Sequence, residues 1–109
     1  MLDESTYKHL ADAVMSRIED VMGAFDPDVV DCDRAGDVVT LTLGNSIKCI
    51  VNTQRPTRQI WLAARDRAWH FAYDDEGGRW MDDKGTGSEL FATISSVVKQ
   101  HAGVDVPFG

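Results

Sequence analysis

Apolar side chains recur every three or four positions through the first quarter of the chain. Tyr7, Leu10, Ala11, Val14, Ile18, Val21 and Phe25 gather on one side of a helix, and Lys8, Asp12, Ser16 and Glu19 gather on the other. Asp3 or Ser5 can cap its start, and Gly23 followed by Asp26-Pro27 stops it. From Val29 to about Met81 the period changes to two. Val39, Leu41 and Leu43 alternate with Val38, Thr40 and Thr42, a tight turn falls at Gly44-Asn45, and Ile47, Cys49 and Val51 alternate again within Ser46 to Asn52, so the pattern predicts a β-hairpin. Further strands are expected at Gln59 to Ala64, Trp69 to Tyr73 and Arg79 to Met81, with turns at Arg65 to Arg67 and Asp74 to Gly78. A closing helix follows. Thr86-Gly87-Ser88-Glu89 has the form of a capping box, Leu90, Phe91, Ile94, Val97 and Val98 make the stripe, and Lys99 and His101 precede Gly103.

No helical pattern interrupts the strands, so sequence neighbours should pair antiparallel. The expected fold is α+β: one domain over residues 1–109, a two-layer α-β sandwich with the N- and C-terminal helices on one face of an antiparallel sheet of five to six strands. The other face is left to solvent. If Ile60, Leu62, Trp69, Phe71 and Tyr73 point to the helices, alternation turns Gln59, Trp61, Ala63, His70 and Asn52 outward. A tryptophan among Asn, Gln and His on an open sheet can anchor a partner; it can equally cover backbone beneath a loop.

Charge adds a direction to this picture. Up to Asp33 there are nine carboxylates against Lys8 and Arg17, a balance of −7, while the rest of the chain carries nine acids and nine bases and cancels. A field confined to one end repels phosphate backbones and anionic lipid, which argues against nucleic acid and membrane as partners. No run reaches the ~20 apolar residues of a membrane span, and the acidic start lacks the basic and apolar segments of a secretion signal, so a cytoplasmic protein is expected. Cys32 and Cys49 fit reduced thiols there, and no Cys-x-x-Cys or Cys/His cluster suits zinc. Cys32, set between two aspartates, should have a raised pKa and be a poor nucleophile. Asp26-x-Asp28 lacks the glycine and closing glutamate of a calcium loop. No base stands paired with a nucleophile, so an enzyme is not expected.

The segment Asn52-Thr53-Gln54-Arg55-Pro56-Thr57-Arg58-Gln59-Ile60-Trp61-Leu62-Ala63 resembles the signature of the frataxin family. The flanks are similar to its bacterial, CyaY-type branch: Leu10-Ala11-Asp12, Ile18-Glu19-Asp20, Asp31-Cys32-Asp33, Trp69-His70-Phe71 and Gln100-His101-Ala102-Gly103 stand in the same order and spacing. The likeness spans nearly the whole chain. It implies an acidic ridge that binds iron and docks basic protein surfaces, with Glu19, Asp20, Asp26, Asp28, Asp31 and Asp33 as the metal-binding positions, and a partner-binding sheet face carrying Asn52, Gln54, Gln59, Trp61 and His70. Gly23-Ala24 stands where relatives are often acidic, which implies a less charged ridge.

The implied role is an iron-binding accessory of iron-sulfur cluster assembly, monomeric without metal, whose partners are the cysteine desulfurase and the scaffold protein on which clusters are built. Carboxylate oxygens suit hard cations such as ferrous or ferric iron. Attraction in water is only about 1 kcal/mol per charge pair at ~4 Å, so an ion shared by solvated carboxylates should exchange freely, with affinity roughly micromolar to millimolar. Two other readings stay open. One is a cation-buffering or iron-oxidising protein acting as metal-loaded oligomers, although the paired Glu and Glu-x-x-His set of di-iron bundles is missing. The other is a generic acidic interaction domain.

Overall fold

A computed structural model describes residues 2–108. Helix α1 (Glu4–Met22) is followed by strands β1 (Asp31–Ala35), β2 (Val38–Thr42), β3 (Lys48–Gln54), β4 (Gln59–Ala64), β5 (Arg67–Asp74) and β6 (Arg79–Asp82), and helix α2 (Leu90–Ala102) closes the chain. The six strands form one sheet in sequence order, each antiparallel to the next. Both helices lie on one side of it. Alternation along the strands decides which side chains meet them: Val39 and Leu41, Cys49 and Val51, Ile60 and Leu62, Trp69 and Phe71, and Trp80 are buried, and they join Tyr7, Ala11, Val14, Met15, Ile18 and Met22 of α1 and Leu90, Ile94, Val97 and Val98 of α2 in a single core. Each buried Val, Leu, Ile, Phe or Met side chain among them contributes about 1.5–3 kcal/mol, which holds two helices whose own propensity is modest. Tyr7 also ties α1 to the sheet, because its hydroxyl donates to the Gln59 carbonyl at 2.7 Å while its ring meets Trp80 edge-on at 6.1 Å.

The ends of the elements settle one open choice and differ from the expected pattern in two places, each for a local reason. Asp3 caps α1 by accepting from the Thr6 amide at 2.7 Å. The β2–β3 connection is not a two-residue turn: Gly44–Ser46 form a 3-10 turn with Asn45 and Ser46 in the left-handed region, so β3 begins at Lys48. A Cβ on Gly44 would stand 2.6 Å from the His101 carbonyl oxygen, so the close approach of α2 to this turn requires glycine. Thr86 is not the α2 cap. Its hydroxyl donates to the buried Asp82 carboxylate at 2.7 Å, and Glu89 itself caps the helix, accepting from the Phe91 and Ala92 amides.

A tail beyond Gly103 packs back on the helices. Val104, Val106 and Phe108 turn inward at two-residue intervals, Phe108 sits 4.8 Å from Phe91, and the Arg17 guanidinium lies over both rings. The free thiols sit on the core side of the sheet. Burial pushes the Cys49 thiol up from 9.0 to about 12. For Cys32 burial is again the main cause of the upward shift, with Glu19, Asp31 and Asp33 adding to it, so the flanking charges are not the leading reason.

Thiol chemistry therefore gives a testable consequence. At pH 8 iodoacetamide should label Cys32 slowly and Cys49 only on unfolding, read by mass spectrometry. The unfolded thiol ionises near its ordinary value and the folded one does not, so this contribution to stability is complete below pH 9 and is lost as the pH rises from 9 towards 12. Urea midpoints should fall across that window, and Cys49→Ala should flatten the fall.

Candidate functional site

The acidic stretch wraps one edge of the sandwich. Glu19 and Asp20 come from the last turns of α1, Asp26 and Asp28 from the connection that follows, and Asp31 and Asp33 from the edge strand β1. Asp26 shapes the connection by accepting from the Asp28 amide at 2.9 Å across Pro27, an Asx turn. Along β1, Cys32 and Arg34 face the helices, whereas Asp31 and Asp33 face the open side, opposite Thr42 and Thr40. Carboxylates on an edge strand also discourage sheet-to-sheet pairing with another chain.

Arg34 divides this acidic set. Its guanidinium bonds Asp12 at 2.6 Å and Glu19 at 2.9 Å, reaches Ser16 at 3.4 Å, and donates to the Gly36 carbonyl at 3.2 Å, so it clamps β1 onto α1. Hydrogen bonds to Glu19 and Asp12 push its pKa further up and keep it charged at any working pH. Glu19 is thus already engaged. Asp20, Asp26, Asp28, Asp31 and Asp33 are exposed and make no salt bridge among the described residues.

As a metal site this rim is open. Among the described residues no three His, Cys, Asp or Glu side chains converge closely enough to hold one ion. The donors are hard oxygens on a solvated surface, which fits an exchangeable di- or trivalent cation and does not fit a caged one. Arg34→Gln should release the Asp12 and Glu19 carboxylates, tighten cation binding in a metal titration, and cost at most about 1 kcal/mol of stability, because both pairs are partly solvated.

The second surface is the uncovered side of the sheet. Strand register sets Asn52 beside Trp61 and Trp61 beside His70, and Gln54 beside Gln59, so all five side chains expected on the partner-binding face come together there. Trp61 is half-buried and stacks on His70 with centroids 4.2 Å apart and planes 17° apart. Its Nε1 donates to Gln59 Oε1 at 2.9 Å, and Gln54 Nε2 donates to Asn52 Oδ1 at 3.1 Å. Asp83, which the sequence pattern did not single out, joins this group: its Oδ2 accepts from Gln59 Nε2 at 3.0 Å and stands 3.9 Å from His70 Nδ1. Alternation through Trp80 and Asp82 facing in and Met81 facing out carries one step further to Asp83. Ile50, the large hydrophobic side chain most exposed among the described residues, lies on the same face, in the row between Thr40 and Ala63.

Trp61→Ala should cost about 1 kcal/mol, the loss of a stacked pair, against about 3–5 kcal/mol for the buried Trp80. Urea titration of the two variants checks the contrast.

A family model described as the frataxin-like domain matches residues 1–104. The chain belongs to the frataxin family. Among its frataxin relatives, a protein of Aeromonas salmonicida named iron-sulfur cluster assembly protein CyaY is 38% identical over 107 residues, covering 98% of this chain and 99% of the relative. The protein of the same name from Ralstonia nicotianae is 40% identical over 109 residues, covering 96% and 93%. The solved frataxin of Psychromonas ingrahamii superposes with a TM-score of 0.88 at 31% identity over 99% of each chain. Trimeric frataxin of Saccharomyces cerevisiae, solved in a ferrous complex, shares the frataxin fold with a TM-score of 0.67 at 21% identity, covering 95% of this chain and 89% of the yeast chain. The motif that carried the resemblance to frataxins spans β3 and β4 and the turn between them, and its Asn52, Gln54, Gln59 and Trp61 side chains all stand on the open face.

Proposed function

We propose that this protein is a non-enzymatic accessory of iron-sulfur cluster assembly that docks the cysteine desulfurase through its acidic rim and the cluster scaffold through its open sheet face. The observation that carries the reading is the combination of near full-length relatives named for iron-sulfur cluster assembly with five exposed carboxylates at one edge that make no salt bridge among the described residues. Ferrous or ferric iron binds that rim weakly and exchangeably, competing with basic side chains of the desulfurase for the same oxygens. The protein works in the cytoplasm as a monomer when metal is absent; no described helix is long and apolar enough to cross a membrane.

The two surfaces share a side of the sheet only at Asp31 and Asp33, which stand on the edge strand β1, whereas Asn52, Trp61 and His70 stand on β3, β4 and β5, so two partners can bind at once. The test is NMR mapping in which each partner is added singly and then both together. Desulfurase should perturb amides of Asp20 to Asp33, scaffold should perturb Asn52, Trp61 and His70, and the mixture should perturb both sets. Mutual exclusion of the partners, or scaffold contacts confined to the acidic rim, would overturn the two-surface assignment.

A further inference from the structure

We infer that Asp83 is a positioning residue of the open sheet face: through Gln59 it fixes the orientation in which Trp61 is presented to the scaffold. The inference rests on the sheet-face docking proposed above and names a residue outside the signature motif. Its basis is the one-way chemistry of a hydrogen-bonded chain. An indole nitrogen can only donate, an ionised carboxylate can only accept, and a primary amide does both at opposite ends. Asp83 Oδ2 takes the Gln59 amide nitrogen at 3.0 Å, which leaves Gln59 Oε1 aimed at Trp61 Nε1 at 2.9 Å. Reversing the amide would set its oxygen against the carboxylate and its nitrogen against the indole donor, so a single carboxylate selects the one arrangement that holds the ring.

Asp83 is itself well anchored. Its backbone amide donates to the His70 carbonyl at 2.8 Å, continuing the β5–β6 ladder by one step. The row Asn52, Trp61, His70 therefore gains a fourth member from the loop leading to α2. His70 stacks on the other side of the relation, 4.2 Å from Trp61 and 3.9 Å from Asp83, and closes a ring of four side chains drawn from three segments. An anchor held in its bound orientation before the partner arrives avoids part of the ordering cost of docking.

The test uses direction-reversing variants of the whole protein, with the Trp61 indole N–H followed by NMR and scaffold affinity measured by titration. Asp83→Ala should move the indole resonance, speed its solvent exchange and weaken scaffold binding about fivefold to tenfold, the worth of one lost hydrogen bond. Asp83→Asn keeps an accepting oxygen but can also donate, so it should fall between wild type and Asp83→Ala in both signals. Gln59→Glu sets two carboxylates together and should reproduce the Asp83→Ala defect, whereas Gln59→Glu with Asp83→Asn restores a donor facing an acceptor and should recover both signals. A role limited to loop stability would lower the thermal midpoint of Asp83→Ala and leave the double variant unrescued. An unchanged indole signal in Asp83→Ala, or a moved indole with unchanged scaffold affinity, overturns the inference. If the wild type itself fails to bind scaffold while the indole responds as expected, the sheet-face reading fails and the hydrogen-bond chain stands.

Discussion

Replacing Asp20, Asp26, Asp28, Asp31 and Asp33 together by asparagine should reduce desulfurase affinity by at least about a hundredfold at low salt, since each solvated charge pair is worth about 1 kcal/mol at contact. The fold should be kept. None of the five is buried or in a salt bridge among the described residues, and asparagine at position 26 retains the oxygen that accepts from the Asp28 amide. Thermal stability should hold or rise slightly as repulsion among like charges is relieved. The matching control is Asp12 with Glu19. Their charge is already answered by Arg34, so amides there should weaken the β1–α1 clamp and leave most of the desulfurase affinity intact. Calorimetric titration and a thermal melt of both variants give the comparison. Equal loss from the two sets would mean that the Arg34 pairs open on docking and that Glu19 belongs to the contact surface.

Phe71→Ala should cost as much stability as truncation of Trp80, about 3–5 kcal/mol. Phe71 is fully buried on β5, and it pairs in register with Ile60 on β4 and with Asp82 on β6. A domain of this size has only about 5–15 kcal/mol in total, so the melting midpoint should fall by well over 10 °C at about 4–8 °C per kcal/mol. The neighbouring residue offers the contrast. His70→Ala, one position along the strand and on the opposite face, removes a surface stack and should move the midpoint by only a few degrees, at about 1 kcal/mol. Circular dichroism melts of the two variants separate the core from the open face within one strand.

The difference between those neighbours also explains what the sequence could convey. Two-residue alternation with a strong polar contrast made the outward Gln59, Trp61 and His70 and the inward Ile60, Leu62 and Phe71 legible before any coordinates. Met15 and Met22 fell outside the expected helix stripe yet are fully buried, because α1 is covered more widely than a narrow seam between two helices would be. The tail from Val104 to Phe108 was missed since its alternation is too short to mark a strand and it docks as irregular chain. At the acidic edge, sequence gives the charge but not its partners. Arg34 stands within the very run of aspartates that it helps to neutralise, and only the α1–β1 packing brings it to Asp12 and Glu19. Asp83 was hidden for a related reason, because a hydrogen-bond chain linking β4 to the loop after β6 leaves no periodic trace.

The most direct measurement of the central claim is desulfurase affinity as a function of ionic strength. The screening length shrinks from about 30 Å at 0.01 M salt to about 8 Å at 0.15 M. Docking through an exposed acidic rim should weaken steeply over that range, and the slope should flatten in the five-amide variant. An affinity independent of salt in the wild type, or a slope that the amide variant fully retains, would contradict the account.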